Sequence, residues 1–321
     1  MRLAEPLLKL PISFSADTLE KEIGALPASA WVPHATGFPG NEAVRLVTAG
    51  GRATDAFEGP MRPTEFLQRC PYIMEIMGEL AGVWGRSRLM GLAPGAEVPA
   101  HVDVHYYWRT HLRIHIPIAT NPGVRFTCGD ESVHMAPGEC WVFDSFRWHE
   151  VVNSGAERRV HLVLDTTPTE RLWELVETAR LPGIEPARME PGAYPAKPLL
   201  FENFNSPKVM SPWEIRCHVA FIAEQAESGP ALQQLLRQLD RFCDNWAALW
   251  AHFGTADEGL AEYWALLSRT ERSIKKDAEA VPLKNELNFW TVLEQLVFAT
   301  ALFPSIQAQL AGGGNERRVA L

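Results

Sequence analysis

The sequence predicts a mainly β core, either a sandwich or a jelly-roll barrel, followed by a helical C-terminal region. Between about residues 85 and 165, short runs of residues are separated by Gly/Pro turns such as Pro94-Gly95. Within these runs apolar and polar residues alternate, as at 112–116 and 160–164. Such alternation is typical of strands with two different faces. Many short strands joined by turns are typical of sandwiches and jelly-roll barrels.

From about residue 168 onward, apolar residues recur at helical spacing. Ser211, Pro212 and Glu214 combine a capping side chain, proline at the first helical position and glutamate at the third. This combination is typical of a helix start. Other helices are expected around 17–25 and 63–83, and Leu283–Phe303 is expected to form a long amphipathic segment.

These patterns predict three parts. A jelly-roll domain with flanking N-terminal helices is expected over residues 1–180, and a C-terminal helical domain over 198–311. Residues 181–197 are rich in proline and glycine, which favours a link between the two. The glycine-rich end of the chain, 312–321, is expected to be flexible.

Composition excludes several classes of partner. The formal net charge is −9 and Lys/Arg residues form no cluster, so nucleic acid is not an expected partner. No run of eighteen apolar residues occurs, so no membrane segment is expected. The N-terminus lacks the apolar core of a secretory signal. Five cysteines without a CxxC pair suit reduced thiols, and a cytoplasmic location is expected.

A metal site is predicted from the spacing of three residues. His101 and Asp103 are two positions apart after the Pro94-Gly95 turn, so both side chains project to the same side of an extended segment. His149 follows 46 positions after Asp103. Two imidazoles and one carboxylate on one face form the facial triad of non-haem Fe(II) oxygenases. A histidine that occurs alone on a strand is more often a hydrogen-bonded structural residue than a metal ligand. The prediction therefore depends on the three residues together.

An arginine is expected to complete this site. If 2-oxoglutarate binds the metal through its 2-oxo acid end, its distal carboxylate needs a fixed partner, and a guanidinium fork binds carboxylates well. Arg159 lies ten residues after His149, and a turn through 153–155 would return its strand to the metal. His115 and His161 lie within alternating strands, whereas His34, His218 and His252 are expected to be structural.

A series of short motifs lies between Leu89 and Pro168. They are Pro94-Gly95, His101, Arg113-Ile114-His115, Gly138 with Phe143-Asp144, His149-Glu150-Val151 and Arg159. In these motifs the chain resembles the aspartyl/asparaginyl β-hydroxylase family. The resemblance implies a double-stranded β-helix (jelly-roll, cupin-like) fold, iron on His101 and His149, and 2-oxoglutarate on Arg159. It also implies Arg113 or His115 near the cosubstrate.

The chain departs from the vertebrate peptide hydroxylases of that family at two positions. Asp103 stands where they carry a small residue, and Met90 stands where they use a serine near the cosubstrate. In its intact triad the chain resembles the bacterial free-proline hydroxylases more than the vertebrate peptide hydroxylases. The segment Asn203–Pro212 also resembles the free-proline hydroxylases. The resemblance therefore favours an amino-acid-like small molecule, free or carrier-bound, over a residue in a folded protein.

The predicted function is a Fe(II)- and 2-oxoglutarate-dependent dioxygenase that uses O2 to hydroxylate an unactivated C–H bond of an amino acid. Succinate and CO2 are the expected coproducts, and the amino acid is free, carrier-bound or within a peptide. Asp144 is expected to order the loop beside the metal. Substrate contacts are expected from five residues that flank the metal motifs: Tyr107, Trp108, Arg109, Arg147 and Trp148. The alternative is that the aromatic residues among them only cover the mouth of the barrel.

Three other functions remain open from the sequence. They are a cupin-like small-molecule binding protein without turnover, a peptidyl Asp/Asn hydroxylase, and a different metal enzyme on the same barrel. The C-terminal helical domain is compatible with a homodimer contact, a lid or a dock for a carrier protein.

Overall fold

The computed structural model describes residues 3–192 and 197–311, which form two compact units. The first unit runs to Asp103 and from Tyr107 to Asn205; the second comprises 104–106 and the described residues from Ser206 onward. The domain limits 1–180 and 198–311 remain a prediction. The predicted tail, 312–321, lies outside the described residues.

The described part of the first unit contains fourteen strands in two sheets. The larger sheet has the order β13-β1-β10-β7-β12-β5-β3-β2, with β14 beside β5 and β4 beside β3; the smaller has the order β6-β11-β8-β9. The strands are β1 Leu7–Phe14, β2 Val32–Pro33, β3 Asn41–Ala49, β4 Met61–Pro63, β5 Val83–Leu92, β6 Glu97–His101, β7 Leu112–Ala119, β8 Val124–Cys128, β9 Glu131–Val133, β10 Glu139–Phe143, β11 His149–Asn153, β12 Arg159–Thr167, β13 Ala187–Met189 and β14 Leu200–Phe201.

The eight strands β5–β12 form a double-stranded β-helix. Strands β10-β7-β12-β5 are neighbours in the larger sheet, and β6-β11-β8-β9 make up the smaller one. Neighbours within these two sets pair antiparallel. The chain thus passes repeatedly between the two sheets, as in a jelly roll. The predicted fold class is confirmed.

The larger sheet has two contrasting faces. One, called here the apolar face, carries fully buried aliphatic side chains such as Ile114, Ile116, Leu162 and Leu164, which belong to one cluster with apolar residues of the flanking helices. The opposite side is called the polar face. Val163 lies opposite both Arg88 and His115, and Asp165 lies opposite Arg113, so these side chains share that face. Its principal polar residues are Arg88, Arg113, His115, Arg159, His161 and Asp165.

Helices cover the apolar face and build the second unit. The helix predicted around 17–25 is confirmed as the first of them. In the second unit, the Ser211 hydroxyl accepts a hydrogen bond from the Glu214 N–H at 3.2 Å, which confirms the predicted helix start. The helices are α1 Ala16–Gly24, α2 Glu65–Gln68, α3 Pro71–Leu80, α4 Glu170–Ala179, α5 Pro212–Gln225, α6 Pro230–Phe253, α7 Leu260–Glu279, α8 Phe289–Leu293 and α9 Pro304–Leu310.

The helical region predicted around 63–83 is confirmed as two helices, whereas the prediction for Leu283–Phe303 was wrong. The region 63–83 contains the end of β4, then α2 and α3, because Pro71 lacks a backbone N–H and starts a new helix. Leu283–Phe303 is not one continuous segment: Asn288 caps α8 by accepting from the Thr291 N–H, and a π-helical turn follows at Glu294–Phe298.

Several strands outside 85–165 were not predicted from the sequence. Strands β1 and β3 extend the larger sheet on both sides, and β13, within the predicted link 181–197, pairs with β1. Among the described residues, no helix is both long and apolar enough to cross a membrane.

Candidate active site

His101, Asp103 and His149 converge at the edge of the smaller sheet. His101 ends β6 and His149 begins β11, and the two residues lie directly opposite each other in the antiparallel pair. One potential ligand atom from each of the three side chains lies within 4.8 Å of the other two. The Asp103 N–H donates to the Ser145 carbonyl at 3.0 Å, which fixes the residue beyond the strand end.

Backbone carbonyls orient both imidazoles in the same way. His101 Nδ1 lies 2.8 Å from the Pro99 carbonyl, and His149 Nδ1 lies 2.9 Å from the Arg147 carbonyl. An Nδ1–H that donates to a carbonyl leaves Nε2 as the free lone pair, which is the usual arrangement of metal-binding histidines. His149 Nε2 is buried and has no hydrogen-bond partner among the described residues. This donor set fits Fe(II).

The third group of the triad, Asp103, is held by an arginine. Arg113 Nη1 lies 3.4 Å from Asp103 Oδ2, and Arg113 Nε lies 3.0 Å from Asp165 Oδ1. Burial acts to raise the pKa of Asp103, but Arg113 and the two histidines outweigh it and lower that pKa. Asp103 is therefore a carboxylate, the form that binds a metal ion.

Arg159 is buried in the polar face without an acidic partner among the described residues. It is 4% exposed, and its Nη2 lies 2.7 Å from His161 Nδ1, while Nε has no hydrogen-bond partner in the described chain. Burial lowers its pKa to about 9. A buried guanidinium without a carboxylate is costly, so the arrangement is suited to an anionic ligand.

Two imidazoles lie between Arg159 and the triad. The rings of His115 and His161 are 5.7 Å apart, and burial lowers the pKa of each well below its usual value. Both ring nitrogens of His115 and Nε2 of His161 are buried without a partner among the described residues. Phe143 contacts both His115 and His149, at ring distances of 5.5 Å and 4.8 Å. A continuous series of contacts thus joins the triad to Arg159.

These unpartnered groups fit the part of 2-oxoglutarate that does not bind the metal. Buried polar nitrogens are normally hydrogen-bonded, and each unpaired one costs free energy. A dicarboxylate would supply acceptors for Arg159 and for neutral imidazole N–H groups in one molecule. The predicted positions of Arg113 and His115 differ in this respect: His115 is free to contact such a ligand, whereas Arg113 is already engaged by two aspartates.

The loop before His149 is organised as expected by Asp144. Its Oδ1 accepts from the Phe146 N–H at 3.0 Å, and its Oδ2 lies 3.2 Å from Arg147 Nε. Arg147 also donates to the Ala4 carbonyl at 3.2 Å. These contacts tie Arg147 to the protein framework, so its predicted substrate contact has no support from the geometry.

The other predicted substrate residues have different environments. Tyr107 is buried, stacks on His111 at 3.6 Å and accepts a hydrogen bond from the Arg86 N–H, so it packs the framework. Trp108 is buried and its ring lies 4.1 Å from Arg113 Cζ. Arg109 ends the 3-10 turn of 106–109, and Trp148 is 38% exposed. The substrate role of these residues remains a prediction.

Sequence reasoning missed two arginines of the polar face and treated His34 as structural. Arg86 and Arg88 are 6% and 4% exposed on β5, and Arg88 Nη1 lies 2.8 Å from His34 Nε2. The available signal was two arginines at alternate positions within the mostly apolar run 83–92. Their pairing with His34 required long-range strand contacts.

Comparison with known proteins agrees with this geometry. Residues 43–168 match the model of the Aspartyl/Asparaginyl beta-hydroxylase family. The match covers less than half of the chain. It includes all three residues of the triad, and also Arg113, His115 and Arg159. No curated protein matches the chain.

Several solved structures share part of the fold. A 2OG-Fe(II) oxygenase family oxidoreductase from Burkholderia pseudomallei is 14% identical with a TM-score of 0.37, covering 49% of this chain and 80% of that one. A Pseudomonas putida prolyl-4-hydroxylase is 16% identical with a TM-score of 0.35, covering 52% and 94%. A predicted oxalate decarboxylase from Thermotoga maritima is 16% identical with a TM-score of 0.27, covering 43% and 90%. Because these scores lie below 0.5, the fold assignment depends on the strand order described above.

Proposed function

We propose that this protein is a Fe(II)- and 2-oxoglutarate-dependent dioxygenase that hydroxylates an amino acid. The observation that carries the proposal is the pairing of a His-Asp-His cluster with a buried arginine that has no acidic partner among the described residues. The family match over 43–168 supports the same activity. Asp103 supports a closer relation to the free-proline hydroxylases than to the peptide hydroxylases.

In this proposal each group has a defined task. His101, Asp103 and His149 hold Fe(II), and the two carbonyl contacts keep both imidazoles aimed at the ion. Arg159 binds the distal carboxylate of 2-oxoglutarate, and its guanidinium gains a counter-charge that the described residues do not supply. With its cosubstrate, the metal supplies O2 activation coupled to decarboxylation of 2-oxoglutarate to succinate.

The protein residues around these groups limit side reactions. Phe126 and Phe143 pack around His115 and His149, which keeps water from the series of contacts between the triad and Arg159. His115 and His161 remain neutral at physiological pH because burial lowers the pKa of both. They therefore offer N–H donors to the cosubstrate without adding charge.

The test is succinate release by the purified full chain with Fe(II), ascorbate and 2-oxoglutarate. The panel consists of free amino acids beginning with proline, together with amino acids in capped peptides. We expect succinate release that at least one amino acid stimulates and that His101→Ala abolishes. His252→Ala, which changes an exposed histidine of α6, is the matched control and should retain full activity. Absence of metal-dependent consumption of 2-oxoglutarate by the folded protein would contradict the proposal.

A further inference from the structure

A second buried cationic cluster lies on the polar face. Arg88 and Arg86 both project from β5, and they are 4% and 6% exposed. Arg88 lies opposite Val163, in the row that includes His115, whereas Arg159 begins β12 four residues before Val163. The two clusters are therefore separated along the sheet, and one ligand group bound by Arg159 does not account for Arg88.

The internal contacts of this cluster leave its positive charge unbalanced. The described hydrogen-bond partner of Arg88 is His34 Nε2, a neutral acceptor, because burial lowers the pKa of His34 to about 3. Arg86 donates to the Asp55 carbonyl at 3.0 Å, and its Nε is buried without a described partner. The nearby Asp55 carboxylate is already paired with Arg45 through two hydrogen bonds.

Aspartates elsewhere on this face make no ion pair with this cluster among the described residues, although the charge of Asp165 acts to raise the pKa of both guanidiniums against the larger effect of burial. Asp165 lies 3.0 Å from Arg113 Nε, and Asp103 belongs to the metal triad. Two buried guanidiniums thus remain without a carboxylate contact among the described residues. Aromatic packing stabilises one of them in place, since Arg86 Cζ lies 3.7 Å from the centre of the Phe57 ring.

We infer that Arg88, together with Arg86, binds a free carboxylate of the substrate, which is therefore a small unblocked amino acid. This inference rests on the proposed function and names its substrate class. Burial of both guanidiniums favours a small molecule over a residue in a polypeptide, whose main-chain carboxyl group is an amide. A carboxylate accepts from two guanidinium groups at once, and the metal triad on the same barrel then faces the remainder of the molecule.

The experiment compares acids with their amides in the unaltered protein. The full chain is loaded with Fe(II) and saturated with 2-oxoglutarate without O2, so that Arg159 is occupied. Thermal shift and calorimetry then follow the addition of free amino acids, the corresponding amino-acid amides and N- and C-capped peptides, including one with an internal aspartate. We expect at least one free amino acid to bind at least 30-fold more tightly than its amide.

Variants then locate the carboxylate site. Arg88→Gln should remove the preference for acid over amide and leave the affinity for 2-oxoglutarate within 3-fold. Arg88→Lys should restore part of the preference, and Arg158→Gln, which changes an exposed arginine paired with Glu42, should leave it intact. If Arg88→Gln does not fold, the acid–amide comparison in the unaltered protein still tests the inference.

The outcomes separate this inference from the proposed function. If 2-oxoglutarate binds and no free amino acid does, or if amides or capped peptides bind as tightly as free acids, the inference is wrong and the proposed function stands. Weakened binding of 2-oxoglutarate to Arg88→Gln would also overturn it, because the cluster would then belong to the cosubstrate. Failure of 2-oxoglutarate to bind the folded, metal-loaded protein contradicts the proposed function itself.

Discussion

Arg113 and Arg159 lie on adjacent strands of the polar face, but their charges are balanced in opposite ways. Arg113 bridges Asp103 and Asp165; burial acts to lower its pKa, and the two aspartates raise it above the usual value. Among the described residues, the hydrogen-bond partner of Arg159 is the neutral imidazole of His161, and burial lowers the pKa of Arg159 to about 9. The protein supplies the counter-charge for Arg113, which makes it part of the framework. None of the described residues supplies an acidic counter-charge to Arg159, and in the proposed function 2-oxoglutarate supplies it.

The largest expected effect is the loss of stability in Arg113→Gln. The substitution leaves Asp165, which is fully buried, and Asp103 without their cationic partner. Breaking a buried ion pair from one side typically costs about 3–5 kcal/mol. We expect the free energy of unfolding of the metal-free protein, measured by urea denaturation in EDTA, to fall by about that amount. An unchanged value would remove Arg113 from the framework and cancel the contrast with Arg159.

Acid should destabilise the metal-free protein through its buried imidazoles. Burial lowers the folded-state pKa of His149 to about 4, and the unfolded value is about 6.5. The unfolded chain therefore binds more protons in this window. The stability from His149 is present above pH 6.5 and is lost as the pH falls toward 4, by at most about 1.4 kcal/mol per pH unit.

The measurement is the urea midpoint of the metal-free protein at several pH values between 7.5 and 4.5. His149→Gln is the control variant, because it removes the titrating group and keeps a polar side chain of related shape. We expect its midpoint to depend less steeply on pH than that of the unaltered chain. Equal pH dependence in the two proteins would show that His149 is not held neutral by burial.

A smaller effect, of opposite sign to that of Arg113→Gln, is expected for Arg159→Gln without ligand. Removing a buried charge that has no acidic partner in the described part of the chain relieves a desolvation cost. We expect the free energy of unfolding of the ligand-free protein to rise by about 1 kcal/mol. The same urea denaturation measures it, and a fall comparable to that of Arg113→Gln would mean that Arg159 has a protein partner.

The smallest effect is expected at the adjacent residue, Arg158. Its side chain is 38% exposed, lies 2.7 Å from Glu42 and covers the Trp31 ring. Exposed ion pairs typically contribute less than about 1 kcal/mol. Arg158→Gln should change the free energy of unfolding by less than about 0.5 kcal/mol and leave 2-oxoglutarate binding unaltered. A larger change would indicate that closeness to the start of β12, rather than burial, determines how much an arginine contributes to stability.

Much of the barrel could be predicted from sequence, because strand alternation and turns are local. The triad could also be predicted from sequence. His101 and Asp103 are two positions apart and therefore share a face, and His149 lies in a recognisable motif. Strand β1 was missed, although its burial alternates, because Pro11 interrupts an otherwise ordinary strand pattern. The long segment 283–303 was misread because Asn288 caps a helix inside an amphipathic pattern.

The charge balance of the polar face could not be predicted from sequence. Arg113 meets Asp165 only because β7 pairs with β12, and Arg88 meets His34 across 54 residues of chain. The resemblance implied 2-oxoglutarate on Arg159 and either Arg113 or His115 near it, and no local pattern showed that two aspartates would balance the charge of Arg113. The difference between them is a property of strand register and long-range packing.

The most direct test of the central claim compares two ligands in two proteins. Calorimetry without O2 measures the affinity of 2-oxoglutarate and of 2-oxopentanoate, which lacks the distal carboxylate, for the metal-loaded chain and for Arg159→Gln. We expect 2-oxoglutarate to bind the unaltered chain about 100-fold more tightly, equivalent to about 2.7 kcal/mol, and the advantage to vanish in the variant. Equal affinity for both acids in the unaltered chain, or an advantage that survives Arg159→Gln, would contradict the assignment.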